Sequence, residues 1–534
     1  MITTSILHSF FTKSHFLKTY SLLILFLMNA DRTFSQSGNT INKILFVDDY
    51  WIDTLENLQR TLHQPKKYSN YPVLAGSYPW ENNMVQTRQG PQWIDEERIW
   101  KIWYNAAGKL GPKGSGGVEE YNFGMAICLA TSRDLINWEK PFTRTISYYG
   151  SKENNIVLNG LISGPIYDRN EPVADRRYKA MLNQYKNGVM SWHPIFSSDG
   201  VHWSNPVEEG VKASDETQLL YDEISKEYRF YCKGFLPGKI REKLIDGRPI
   251  QPNNHRCVYL STSKDFIKWT IPELVFHADE LDQKIGAKRN VSAKADSNRL
   301  YPTAQYDNPN QYYTDIYSMA VFNYEGMYIG MPCMFDQTGS LRNNSAGLLY
   351  PELATSRDGY KWNRAGNRDI FLSLGSKEDF DGGNILMAAH PIIKDEQVWF
   401  YYLGQPETHD GGISRLSRVN GGIGLSKLRL DGFISIDAGN KPGLLITKAI
   451  DFTGDNIWLN LDATGGEVLV ELLDAKNFKL LKGFSFENCI PVSSDTVATK
   501  VHWQNQRGLQ SIKGKKIVFR IKMSNAKLYS IHVK

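Results

Sequence analysis

Short apolar runs punctuated by turn residues make up almost the whole chain, and few stretches repeat at helical spacing. Ile44-Leu45-Phe46-Val47, Met125 to Thr131, Tyr228-Arg229-Phe230-Tyr231, Ile316 to Val321 and Val398-Trp399-Phe400-Tyr401-Tyr402 are typical. Runs of this length, rich in β-branched and aromatic residues and bounded by Gly, Asp, Asn and Ser, predict strands. Four of them end in one phrase, Ser-x-Asp-x-x-x-Trp, at Ser132 to Trp138, Ser197 to Trp203, Ser263 to Trp269 and Ser356 to Trp362. Ser and Asp offer side-chain oxygens to turn amides, and the Trp opens the returning strand, so each phrase predicts a strand, a tight turn and a strand.

The tryptophans recur 65, 66 and 93 residues apart, at positions 138, 203, 269 and 362. A unit of this size cannot bury both its faces alone, and radial repetition solves the problem. A fifth unit, Ile385 to Asp431, keeps the strand pattern without the Trp turn. From about Lys441 the texture changes to short alternating strands such as Trp458 to Leu461, Glu467 to Leu473, Lys516 to Met523 and Leu528 to Val533. The fold expected is all-β: a five-bladed β-propeller over residues 41–440, then a small C-terminal β-sandwich over 441–534. With 534 residues, two such domains are also what length leads one to expect.

Charge and cysteine content narrow the partners. Net charge is +5, with 62 basic and 57 acidic residues spread along the chain, so neither nucleic acid nor an anionic membrane is an expected partner. Lys13 and Lys18 precede the apolar run Tyr20 to Met28, and Thr33-Phe34-Ser35 supplies small residues before Gln36. Residues 1–35 therefore read as a signal peptide, giving a secreted or periplasmic protein with no membrane insertion once it is removed. Five scattered cysteines, with no C-x-x-C pair, read mostly as buried small hydrophobes, with Cys232–Cys257 as one conceivable bridge.

The segment Pro72-Val73-Leu74-Ala75-Gly76-Ser77-Tyr78-Pro79-Trp80-Glu81-Asn82 resembles the opening phrase of the first blade in five-bladed glycoside hydrolases of families 43 and 32. The acid stands one place later than in family 43, and the Ala-Thr-Ser-x-Asp-x-x-x-Trp turns resemble those of the same superfamily. The resemblance implies a carbohydrate substrate and a carboxylate pair in the axial pocket, one acid protonating the leaving oxygen and the other attacking or activating water. It places Glu81 at or next to the base or nucleophile, and Asp168 at the blade-two aspartate that holds a sugar hydroxyl or tunes the acid. Asp215-Glu216 fall in the blade that carries the general acid; successive residues of a strand face opposite ways, so either is the inward one.

Trp80, Asp315, Asp381 and His390 are candidate substrate-binding residues, with Trp192 and Tyr313 as further stacking platforms. No cofactor is required by this chemistry. An axial Ca2+, with the blade-five His390 beside it, is implied only by the resemblance. Two other readings stand beside the hydrolase: a carbohydrate-binding propeller without turnover, and a sialidase-like hydrolase, whose turns also run from Ser-x-Asp to Trp. The second also needs an arginine cluster to grip a substrate carboxylate.

Overall fold

The computed structural model describes residues 43–81, 84–107, 125–236, 255–302, 307–341, 344–409, 421–504 and 508–534. The expected signal peptide and the Gly-rich and basic loops at 108–117 and 238–248 lie outside the described residues.

The chain is all-β, with one long helix among the described residues. Antiparallel meanders follow one another along it. Met84–Gln86, Ile99–Ala107, Met125–Ser132 and Ile156–Asn159 form the first, Ile162–Tyr167 to Val211–Lys212 the second, and Thr217–Asp222 to Glu273–Phe276 the third. An eleven-stranded sheet holds two more, starting at Tyr313–Tyr324 and Asn384–Met387, joined by the single parallel pair Leu349 and Asn384. The last is completed from the other end of the chain: Lys66–Lys67 and Leu74–Ala75 pair with Gly422–Arg429. Such closure satisfies an edge that would otherwise be open, as a propeller-like fold requires.

The four Trp turns close alike. Ser132 Oγ accepts from the Leu135 amide at 2.9 Å, while Asp134 Oδ1 accepts from Ile136 and Asn137 at 2.9 and 2.8 Å. Asp199, Asp265 and Asp358 each receive the same two amides at 2.8 Å. The corner residue is left-handed in every copy, Leu135, Gly200, Phe266 and Gly359, with φ between 62° and 77°. Leu and Phe hold this conformation because their side chains are fully buried, which offsets a cost that glycine avoids.

Two further sheets pack face to face over a core that includes Phe46, Ile436, Leu459, Val470, Phe519 and Ile531. Their strands come from both chain ends. Lys43–Leu45 pairs with Ala526–Val533, Ile52–Glu56 with Gly443–Thr447, and Leu58–Leu62 with Ile434–Ala438. Residues 43–62, inside the range 41–440 expected for the propeller, thus belong to the C-terminal two-sheet module. The apolar pattern of Ile44-Leu45-Phe46-Val47 marks a strand but carries no information about its partner.

The helix Glu280–Ala295 lies in a stretch that reads as merely polar. Its buried residues are Asp282, Gly286 and Asn290, a stripe at i, i+4, i+8 with no apolar member. Asp279 caps it, accepting from the amides of Leu281 and Asp282 at 2.9 and 3.0 Å. All five cysteines are buried and free, Cys232 and Cys257 included.

Candidate active site

The starts of all five meanders meet at one cavity of about 230 Å³. Met84, Gln86 and Arg88 reach it from the first, Leu161 and Ile162 from the second, and Asp215, Glu216 and Thr217 from the third. Tyr317 and Leu386 bring in the fourth and fifth, and Gln405 and His409 complete the wall. Met84 and Gln86 share one face of the strand Met84–Gln86, and Arg88 follows in the bend just beyond it.

Both members of the Asp215-Glu216 pair line this cavity, each held by a cation. Glu216 accepts two bonds from the Arg88 guanidinium, Nε to Oε2 at 2.5 Å and Nη2 to Oε1 at 2.7 Å, the strong bidentate geometry. Arg88 also donates to Gln86 Oε1 at 3.0 Å. Asp215 receives Lys233 Nζ at 2.6 Å and the Ser214 hydroxyl at 2.8 Å. Desolvation would raise the Asp215 carboxyl, but the Lys233 ammonium overrides it and holds it well below the usual carboxylate range. Asp215 is thus an ionised carboxylate with 45% of its side chain still exposed.

Tyr317 and His409 stand beside the pair. The His409 Nδ1 lies 2.7 Å from the Ser345 carbonyl oxygen, which only accepts, so the proton is on Nδ1. Nε2 is then the acceptor, and the Tyr317 hydroxyl at 3.2 Å donates to it. Burial, followed by the nearby Arg256, pushes the His409 pKa down to about 3, so the ring is neutral.

The other expected site residues lie elsewhere. Glu81 ends the turn Pro79–Glu81, ahead of the strand that enters the cavity, and its carboxylate is wholly buried in the first meander's core. It accepts from Lys140 Nζ at 2.7 Å, the Tyr104 hydroxyl at 2.5 Å, and the Ser77 and Tyr78 amides at 2.8 and 3.2 Å. Glu81, expected at or next to the base or nucleophile, does not line the cavity, and these bonds tie it to the first meander. Trp80 stacks on Tyr78 at 4.6 Å and donates to Asn155 at 2.8 Å, so its faces serve the core.

Asp168 lies beyond the outer end of Ile162–Tyr167, whose start is at the cavity. Six residues at ~3.3 Å each put it roughly 20 Å along the strand. There it accepts from Lys179 Nζ and the Tyr228 hydroxyl, both at 3.2 Å. Asp315 is buried between Arg256, at 3.1 Å, and Gln337, at 2.6 Å. Asp381 pairs with Lys67 Nζ at 2.7 Å and accepts from the Tyr402 hydroxyl at 2.9 Å, tying the last meander to the strand that closes it. His390 is held neutral by burial, its pKa pushed down to about 4. No three metal-ligating side chains gather among the described residues. Of the expected stacking platforms, Trp192 lines the cavity.

Arg88, Lys233, Tyr317 and His409 escape a reading that searches for acids. That Arg88 directly follows the short strand Met84–Gln86 is the one signal that could have exposed any of them.

No family model matches the sequence, and no curated protein matches it. Among solved structures, similar chains include an N-acetylgalactosamine deacetylase from F. plautii in complex with blood group B trisaccharide, 14% identical with a TM-score of 0.40. That likeness covers 70% of this chain and 96% of the other. A family 43 β-xylosidase/α-arabinofuranosidase from a compost microbial metagenome is 11% identical, covering 70% and 98%, with a TM-score of 0.38. A family 43 enzyme from Xanthomonas citri complexed with xylose is 12% identical, covering 70% and 93%, with a TM-score of 0.39. Sheet pairing, rather than these likenesses, establishes the fold.

Proposed function

We propose that this chain is an exported glycoside hydrolase that cuts O-glycosidic bonds of a poly- or oligosaccharide at the hub of a five-bladed ring. The carboxylate pair is Asp215 and Glu216. The observation that carries this reading is the convergence of the meander starts on one cavity into which both acids project. Asp215, ionised beside Lys233, attacks the anomeric carbon or takes a proton from water. Glu216, once substrate binding loosens its grip on Arg88, takes up a proton from solvent and donates it to the leaving oxygen. Residues 1–35 are the leader, and the two-sheet module is an accessory domain.

The test is turnover of a panel of plant and marine oligosaccharides by the wild type, Asp215→Asn and Glu216→Gln. Loss of at least about 100-fold in both variants is expected. Unchanged turnover in both removes the assignment.

A second reading, carbohydrate binding without turnover, is favoured by the pairing itself: Arg88 and Lys233, each more than nine-tenths buried, already neutralise both acids. Wild-type binding with no turnover of any sugar would select it. A sialidase-like reaction lacks its grip. Arg88 is the only arginine lining the cavity among the described residues, and it is spent on Glu216.

A further inference from the structure

Tyr317 occupies an irregular place in its strand. Ile316 pairs with Met334 and Ser318 with Cys333, so Tyr317 is the extra residue of a β-bulge, with no partner across the ladder. Bulges re-aim side chains, and this one turns the Tyr317 ring into the hub cavity. Phe335 and His409 meet the ring edge-on at centroid distances of 5.8 and 5.0 Å. Lys233 Nζ lies 4.2 Å from the ring centroid while it pairs with Asp215. The ammonium is therefore pinned between a π-face and a carboxylate.

The hydroxyl is equally constrained. Its proton points at His409 Nε2, because the other ring nitrogen is committed to Ser345. The remaining lone pairs of the oxygen can only accept. A ligand hydroxyl that donates is matched there, and a ligand acceptor is rejected.

We propose that Tyr317 is the positioning residue of the hub: its ring holds Lys233 against Asp215, and its oxygen accepts a hydrogen bond from a hydroxyl of a neutral sugar ring. The first half stands on geometry alone; the second rests on the reading of the hub as a sugar site. The cavity is smaller than the ~300–1,000 Å³ typical of drug-sized ligands, which suits one ring rather than a length of chain.

The test uses the full chain, with xylotriose, cellotriose and mannotriose as probes in titration calorimetry. Tyr317→Phe keeps the ring and deletes the hydroxyl. It should weaken the best-bound trisaccharide by about 3- to 10-fold, the worth of one net hydrogen bond, and leave Asp215 silent above about pH 3 in carbon-13 titrations. Tyr317→Leu removes the platform as well, and Asp215 should then titrate at a higher pH. Unchanged affinity in Tyr317→Phe, no trisaccharide binding to the wild type, or an unmoved Asp215 in Tyr317→Leu overturns the proposal. Should the wild type bind a trisaccharide but never cleave one, the hydrolase reading fails, while the affinity loss in Tyr317→Phe still supports this one.

Discussion

Replacing Arg88 by Met is the sharpest probe of the hub, because it removes a counter-ion and leaves shape almost intact. Glu216 would lose two charge-assisted bonds, at 2.5 and 2.7 Å, in a site where both side chains are only 9% exposed. Removing one partner of a buried pair costs ~3–5 kcal/mol when the other stays charged. Glu216 has an escape, which is to take up a proton. Without its counter-ion the buried charge is disfavoured, so the penalty is smallest where pH supplies that proton and largest where it does not. The folded variant then binds more protons than its unfolded chain, so its stability falls as pH rises. Urea unfolding followed by tryptophan fluorescence at pH 5, 6, 7 and 8 should show Arg88→Met about 1 kcal/mol below wild type at pH 5 and about 3 at pH 8. Adding Glu216→Gln should recover most of the loss at pH 8. An equal deficit at both ends of the pH range would refute the reasoning, since it would mean that packing, not the charge on Glu216, sets the cost.

Other sites give independent checks. A Cβ on Gly286 would collide with Thr314 Oγ1 and lie 2.5 Å from Asp336 Oδ1, so Gly286→Ala should lift the helix Glu280–Ala295 from its sheet and cost about 2 kcal/mol in chemical denaturation. Burial, opposed by Arg289, pushes the Glu352 pKa up to about 7, and burial likewise takes Asp336 to about 6. Both folded-state values lie above the unfolded ones, so their contribution to stability is full below about pH 4 and is lost as pH rises through 6 to 7. Glu352→Gln mimics the protonated form and should gain on wild type by up to about 3 kcal/mol between pH 5 and 8; a constant difference would contradict this. A chain starting at residue 63 lacks three strands of the C-terminal two-sheet module, which should become the first segment cut in limited proteolysis.

What the sequence disclosed is what local chemistry decides. The four Ser-x-Asp turns were legible because each is closed by its own residues, down to the two amides on every aspartate. The Glu280–Ala295 helix was not, because it buries Asp282 and Asn290 instead of an apolar stripe. Asp282 is matched by Arg364 and Arg368, residues more than eighty positions away. The candidate acids divide in the same way. Sequence identifies a carboxylate near a strand, but not which end of the strand meets the cavity, so Asp168 falls at the outer end and Glu81 before the entrance. Asp215 and Glu216 reach the cavity because they immediately precede the buried strand Thr217–Asp222, and their counter-ions come from elsewhere in the chain, Lys233 from the strand Glu227–Phe235 and Arg88 from the bend after Met84–Gln86.

The start of the chain explains how so small a cavity can hold two acids. Lys43–Leu45, Ile52–Glu56 and Leu58–Leu62 anchor it in the two-sheet module; Lys66–Lys67 and Leu74–Ala75 then close the last meander, and Met84–Gln86 enters the hub just ahead of Arg88. Lys43 fixes the first of these steps, pairing with Glu325 at 2.7 Å and Asp431 at 3.1 Å, where Asp431 also accepts from Tyr324 and Ser530 at 2.6 Å. Lys67 fixes the second through Asp381. Arg88 is therefore delivered by a segment anchored twice upstream, which limits its freedom to follow a moving carboxylate. A guanidinium held by the scaffold can hold Glu216 beside Asp215 without waiting for a ligand, and the repulsion between neighbouring acids is met by cations in place before any ligand arrives. Loosening the seam at Gly422–Arg429 should then weaken the hub as well as the ring, because the same stretch of chain supports both.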